Sequence, residues 1–395
     1  MTDIKGRGIR RKPGNGLMIF LLIIAVFFSV VGRAIFSPLM PYLQEELAIS
    51  LATVGTMFLL VSVSFSLVMV FSGFLTAWFG HGNTVVAALV LILVGLVISA
   101  SAGNAIVLAG GMICIGAGAG TYAPSGIAMI NTKISIEKRS TAFSLHEIGS
   151  NGAILLAPLI VLAAVPLLGW RGVLLLIAFL TGIASIAFYF FGAAESGVGA
   201  KPNLSTIGTI LRLPHAYLGM LMFSTSLAGL HGVFSILPAY LVEYSTWSAE
   251  HVNSLVTLSR VISFSMLLLA GPIIKIMGTR KTIIVVLLFT GMLTGLISVA
   301  EGRVLEIVVV FQPALIAVMF PAQLSCLAEI GETWYQNVTS ALVITVGMIV
   351  GAGVVPALVG VLSDLGIGWC GFVSLALFML LTVVILMLNP SFGKR

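Results

Sequence analysis

The chain has 395 residues, of which 59% are hydrophobic and 8% charged, and its mean hydropathy is +1.19. A soluble domain carries roughly 25% charged residues, so no water-soluble fold covers this much apolar surface, and soluble enzymes and nucleic-acid binders are excluded as classes. The net charge of +6 therefore needs an origin other than a nucleic-acid partner.

Crossing the hydrocarbon core of a bilayer takes about 20 apolar residues per helix, and only helices or closed barrels satisfy every backbone group there. In chain order, apolar segments lie near 17–40, 53–79, 84–103, 105–131, 140–168 and 172–193, then near 214–241, 251–277, 282–300, 304–328, 338–362 and 371–388. They are too long for barrel strands, so the sequence predicts an all-α membrane protein with twelve transmembrane helices. Short breaks separate them at Gly80-His81-Gly82-Asn83, Gly169-Trp170-Arg171, Gly302-Arg303 and Gly366-Ile367-Gly368, which makes sequential helices antiparallel neighbours. The first segment has the basic flank of a signal peptide, but its apolar run is longer than an h-region and no small-residue cleavage site follows. It is expected to stay in the protein. Cys114, Cys326 and Cys370 are scattered, neither a disulfide framework nor a metal site. Gly116-Ala117-Gly118-Ala119-Gly120 has the look of a phosphate loop, yet it lies inside an apolar segment with no strand before it, where small residues serve close helix packing. No cofactor motif and no catalytic set stands outside the spans, so neither a cofactor nor an enzyme is expected.

Short cytoplasmic loops carry an excess of Lys and Arg. With the N-terminus inside, Lys5, Arg7, Arg10, Arg11, Lys12, Lys133, Lys138, Arg139, Lys201, Arg212, Lys275, Arg280, Lys281, Lys394 and Arg395 fall on the cytoplasmic side, against Arg171 and Arg303 on the other. Both termini are therefore expected in the cytoplasm, and the positive charge reflects sidedness. The expected setting is a monomeric, multi-pass integral protein of a bacterial inner (plasma) membrane, in contact with lipid.

The second half of the chain repeats the first at an offset of 198 residues. Phe36-Ser37 meets Phe234-Ser235, Tyr42-Leu43 meets Tyr240-Leu241, Glu45 meets Glu243 and Ser50 meets Ser248. Further on, Gly73, Gly80 and Thr84 meet Gly271, Gly278 and Thr282, and Gly149 and Pro158 meet Gly347 and Pro356. The predicted organisation is an N-terminal six-helix half at 1–193, a cytoplasmic linker at 194–213 and a C-terminal six-helix half at 214–395. Parallel six-helix repeats with a binding site near the midplane between them are the arrangement of the major facilitator superfamily. The chain resembles that superfamily in this repeat, in Gly73-Phe-Leu-Thr-Ala-Trp-Phe-Gly80 between helices 2 and 3, and in its counterpart Gly271 to Lys281 between helices 8 and 9. In those two loops Ala77 and Lys275 stand where the family's aspartate usually sits.

Ionisable residues inside spans are costly and by default mark a pathway. Arg33 lies in helix 1, His146 and Glu147 in helix 5, His231 in helix 7 and Arg260 in helix 8. The resemblance implies that helices 1, 4, 7 and 10 line a central cavity and that 2, 5, 8 and 11 flank it; all five residues lie on those two sets. Arg33 and His231 differ by 198 and hold equivalent places. A rise of about 1.5 Å per residue puts Arg33 and Arg260 roughly 10–13 Å from the outer end, at one level. The planar donor fork of arginine suits a carboxylate. The lone arginine in helix 8 resembles the oxalate and monocarboxylate transporters, and Arg33-Ala-Ile-Phe-Ser-Pro-Leu-Met-Pro41 resembles the first helix of the anion:cation symporters, whose arginine meets substrate carboxylate. Val256 stands where an aspartate often precedes the helix 8 arginine. The residues leave open a snorkelling Arg33 paired with Glu45 or Glu46, and a structural pair or carbonyl clamp for Arg260.

The candidate substrate-binding set is Arg33, Tyr122, His231, Arg260 and Gln312, the tyrosine and glutamine as hydrogen-bonding groups equally suited to helix packing. Glu147, about 10 Å from the cytoplasmic end, and His146 are the candidate proton-coupling residues. Lys138 and Arg139 with Glu329 and Glu332 are expected to form gating ion pairs at the cytoplasmic ends of helices 4, 5, 10 and 11. The expected function is secondary active transport of a small-molecule substrate by alternating access, an organic anion (carboxylate) moved by proton symport or exchange with a counter-anion. The alternative is proton-coupled efflux of amphiphilic drugs or other neutral or cationic solutes. Drug antiporters of the superfamily usually carry an arginine in helix 4 and a Gly-Pro motif in helix 5; here Met112, Cys114 and Gly152-Ala-Ile-Leu-Leu-Ala157-Pro158 occupy those places.

Overall fold

The computed structural model describes residues 14–192, 208, 210–327 and 336–389. Among them the chain is helical, with no strand. Helices α1 (Asn15–Ala34), α2 (Phe36–Leu47), α3 (Leu51–Ala100), α4 (Ala105–Lys133) and α5 (Ile136–Phe191) come first. A π-helical turn, Ala228–Gly232, joins α6 (Pro214–Leu227) to α7 (Val233–Tyr244). There follow α8 (Ala249–Met277), α9 (Thr279–Leu296), α10 (Gly302–Ala317), α11 (Met319–Leu327) and α12 (Gln336–Gly347). A second π-helical segment, Met348–Val354, leads into α13 (Val355–Asp364), and α14 (Trp369–Leu388) closes the series.

Among the described residues, ten helical stretches are long and apolar enough to cross a membrane. Two of them are about twice the needed length: Leu51–Ala100 has 50 residues and Thr141–Phe191 has 51. At 1.5 Å per residue each is roughly 75 Å long, against a hydrocarbon core of about 30 Å. Each is interrupted once, at Gly80 (φ 73°) and at Gly169 (φ 65°), both at breaks predicted from the sequence. Residues with a Cβ are disfavoured at positive φ, so these glycines place the turn and let the helix resume at once. The count differs from the predicted twelve because the turns are tight enough for helix to run through them without a loop.

Local structure recurs at the 198-residue spacing. Ser50 and Ser248 each cap a helix, accepting from the backbone N–H of Thr53 at 3.3 Å and of His251 at 3.2 Å, which satisfies orphan donors of the first turn. Gly80 and Gly278 have φ, ψ of 73°, 160° and 80°, 150°. Thr84 and Thr282 each donate to the carbonyl of that glycine, at 2.7 and 2.9 Å.

The main apolar core draws on early and late segments together, with Val31, Phe36 and Met57 in one cluster with Phe223, Ile236 and Met348. The two π-helical segments meet backbone to backbone. A Cβ on Gly232 would lie 2.4 Å from the Gly351 carbonyl oxygen, and one on Gly351 would lie 2.5 Å from the Ala228 nitrogen. This close approach positions His231, the neighbour of Gly232. Gly232→Ala is expected to destabilise the protein by about 1–3 kcal/mol through overpacking, read as a lower unfolding temperature in detergent. An unchanged unfolding temperature would show that the two segments part at no cost.

Candidate functional site

A proline inside a helix frees the carbonyl one turn earlier. Pro238 does this for Phe234, and the freed carbonyl is taken by the Ser37 hydroxyl of α2. Nearby, Asn253 of α8 donates to the Pro38 carbonyl at 3.0 Å, Gln44 to Glu243 at 3.4 Å, the Ala52 N–H to Asp364 at 3.2 Å and the Ser66 hydroxyl to the Thr345 carbonyl at 3.3 Å. These bonds tie residues 37–66 to residues 234–364; that of Ser66 lies roughly 20 Å further along α3 than Ala52, and those of Ser37, Gln44, Ala52 and Asn253 close one end of the bundle. At that end Glu46 pairs with Arg171 and accepts from Trp170 Nε1. The Arg171 guanidinium lies 4.0 Å over the Trp170 ring and donates to the Ala102 carbonyl at 2.9 Å.

Beneath the closure lies a cavity of about 60 Å³ whose polar lining is Arg33, Ser37, Ser62, His231 and Ser235, with Phe58, Ile154, Phe234 and Met348 among its apolar walls. Among the described residues no acidic one lines it. Each arginine lies against an aromatic face: Arg33 Cζ is 4.6 Å from the centroid of the Phe65 ring, and Arg260 Cζ is 4.3 Å from that of Phe234. A ring holds a guanidinium by its face and leaves the N–H edge open. Among the described residues neither arginine has a hydrogen-bond or ion-pair partner, and each Nε is a buried donor with none. Arg33 borders the cavity; Arg260, 5% exposed, lies behind the Phe234 ring that forms its wall. Both guanidinium charges act on the His231 ring, so three basic groups share one region. Glu46 is committed to Arg171 and Trp170, and Arg33 forms no pair with it or with Glu45.

Other candidates lie elsewhere. Tyr122 does not face this cavity. It is buried in a second apolar cluster with Leu22, Val26 and Met129, its hydroxyl 2.8 Å from His146 Nε2 and 3.1 Å from the Leu22 carbonyl oxygen. His146 Nδ1 is 3.7 Å from Glu147 Oε1, and the Glu147 side chain is 53% exposed. Gln312 is fully buried and donates to the Gly229 carbonyl at 3.1 Å and to Thr294 at 3.2 Å; it braces the π-helical turn and is absent from the cavity lining. Lys138 is exposed, and Arg139 Nε donates to the Ile134 carbonyl at 3.1 Å. Glu329 and Glu332, their expected partners, lie outside the described residues. Among the described residues no group of three or more His, Cys, Asp or Glu is placed to hold a metal ion.

Sequence reasoning missed Ser37, Ser62, Ser235, Phe65 and Phe234. The two outer serines carried a signal: Ser37 follows Arg33 by four residues and Ser235 follows His231 by four, so each lies one turn on along the same helix face.

A family model described as Major Facilitator Superfamily matches residues 22–352. No curated protein matches the sequence. Among solved structures, the chain is similar to a bacterial homolog of the human lysosomal transporter Spinster in an inward-facing and unoccupied conformation, with a TM-score of 0.76, 13% identity and 97% of each chain covered. It is also similar to a mutant of the peptide transporter POT in complex with sulfate, with a TM-score of 0.78, 16% identity and 97% of each chain covered. At these identities the likeness is one of fold.

The Ser37 bond to the Phe234 carbonyl is worth about 0.5–1.5 kcal/mol net, as for other hydrogen bonds inside proteins. With the three native cysteines replaced, a cysteine at Ser235 should react with a membrane-impermeant thiol reagent from the closed end roughly 2- to 10-fold faster once Ser37→Ala is added. Equal rates would show that Ser37 does not hold the closure.

Proposed function

Because the chain belongs to the major facilitator superfamily, we propose that this multi-pass membrane protein is a secondary active transporter of a small organic anion, a carboxylate, working by alternating access with proton symport or anion exchange. Dividing α3 at Gly80 and α5 at Gly169 gives twelve spans. The distribution of basic residues supports a cytoplasmic position for both termini, and a bacterial inner membrane and a monomeric state complete the reading. Residues 1–193 and 214–395 act as two six-helix halves joined by 194–213, a division supported by the recurring caps and glycine turns. With that orientation the closed end faces outward.

The observation that carries the anion reading is the pair of guanidinium groups held on aromatic rings beside a small basic cavity, with no acidic partner among the described residues. A buried cation without a counter-charge is costly, and a carboxylate supplies both charge and paired acceptors. A cationic substrate would add repulsion. A drug-sized amphiphile needs roughly 300 Å³ or more, against the 60 Å³ of this cavity, which weighs against efflux. Arg33, His231 and Arg260 are the proposed substrate-binding residues, and His146 with Glu147 is the proposed proton-coupling pair.

The test begins with a thermal-shift screen of purified protein against carboxylates, amino acids, sugars and cationic dyes, since any ligand of the folded state raises apparent stability. For the ligand found, Arg260→Lys should weaken binding, because charge is kept but the fork is lost. Arg260→Ala and Arg33→Ala should each weaken it by at least about 30-fold, the scale of an unpaired buried charge. A cationic ligand, or Ala variants that bind like the parent, would overturn the anion reading. Glu147→Gln should preserve folding and binding but abolish proton-driven accumulation in liposomes. Full accumulation by that variant would exclude Glu147 as the carrier.

A further inference from the structure

The Tyr122 hydroxyl has one proton and two acceptors within reach, the Leu22 carbonyl oxygen of α1 at 3.1 Å and His146 Nε2 of α5 at 2.8 Å. Which one it serves depends on the protons carried by the imidazole. With a proton on each ring nitrogen, His146 donates from Nε2 to the tyrosine oxygen and faces Glu147 with Nδ1–H, while the hydroxyl donates to Leu22. The Nε2–H and the hydroxyl then each have an acceptor, and Nδ1 lies 3.7 Å from the Glu147 carboxylate, an electrostatic contact and not a hydrogen bond. When one ring proton passes to water past the exposed Glu147 side chain, the Nε2–H tautomer would set a nitrogen lone pair against the Glu147 carboxylate, so the neutral ring keeps Nδ1–H. Nε2 becomes an acceptor, the hydroxyl rotates to donate to it, and the Leu22 carbonyl loses that bond. One proton leaves, one hydroxyl turns, and no other bond changes.

The carbonyl concerned belongs to the helix that carries Arg33. Leu22 and Arg33 are eleven residues apart, so they lie within about 20° of one face and roughly 16 Å from each other along α1. The seam between α1 and α5 is tight at this point: a Cβ on Gly149, three residues after His146, would come within 2.7 Å of the Ile23 carbonyl oxygen. Tyr122 belongs to an apolar cluster with Met18 and Val26 from α1, Leu89 from α3 and Met129 from α4. Among the described residues, Tyr122 from α4 and Glu147 from α5 are the titratable groups that face His146.

We propose that Tyr122 is a positioning residue that reads the protonation of the His146–Glu147 pair and passes it to α1 as a hydrogen bond made or released at Leu22. The helix bearing Arg33 is tied down while the pair holds its extra proton and freed when the proton leaves. This rests on the proton-coupled reading of His146 and Glu147.

The test uses the full chain in lipid nanodiscs, without added ligand. In ¹⁵N-histidine NMR over a pH series, with His146 assigned by the signal lost in His146→Gln, the neutral form of the ring should be the Nδ1–H tautomer. An Nε2–H tautomer at the upper end would overturn the proposal, and this measurement needs no variant at Tyr122. The second readout is the distance between spin labels at Leu17 on α1 and Ile276 on α8, both exposed. It should change with pH in the parent and stay constant in Tyr122→Phe and in Glu147→Gln. If Glu147→Gln is constant while Tyr122→Phe responds like the parent, the role of Tyr122 falls and the proton-coupled reading stands. If Glu147→Gln also responds like the parent, or the parent does not respond, the proton-coupled reading falls and this inference with it.

Discussion

A buried arginine can be held without being neutralised only by a partner that offers electron density and no charge. The rings of Phe65 and Phe234 do this for Arg33 and Arg260. An aspartate or glutamate in either place would satisfy the guanidinium and also silence it toward any anion. The apolar platform keeps the positive charge available, and the cost of that charge is carried by the packing around it. Phe234 has a second commitment, because its carbonyl is fixed by Ser37. The ring that supports Arg260 therefore belongs to the same residue that seals the closed end.

Two backbone groups set free by irregular helix serve as ties between helices. The carbonyl released by Pro238 goes to Ser37, and the Gly229 carbonyl in the π-helical turn goes to Gln312. In a membrane every unpaired backbone group costs several kcal/mol, so each irregularity must find a partner nearby. At Gly232 and Gly351 the two π-helical segments meet with no side chain between them.

The extent and order of the spans were legible in the sequence, because hydrophobic length maps directly onto bilayer thickness. Their number was less so, since a glycine at positive φ turns the chain inside what is otherwise unbroken helix, as at Gly80 and Gly169. Arg33, Arg260 and His231 stood out because charge is rare in spans. Their aromatic and serine neighbours did not, because Phe and Ser are common there and only three-dimensional placement sets them apart. Tyr122 and Gln312 sit on helices that the resemblance assigns to the cavity, but a helix has several faces. Membership of a helix does not say which face a residue is on, and Tyr122 faces α1 and α5. Gln312 serves a π-helical turn that no periodicity announces.

The single-glycine turns also govern how the molecule meets its surroundings. A helix pair joined at Gly80 or Gly169 has no slack at its tip, so a protease finds no extended chain there to thread through its cleft, and an antibody finds no protruding epitope. An inserted tag would have to break helix on both sides before it could emerge. Labels meant to report on these ends are better carried by single substituted side chains than by added sequence.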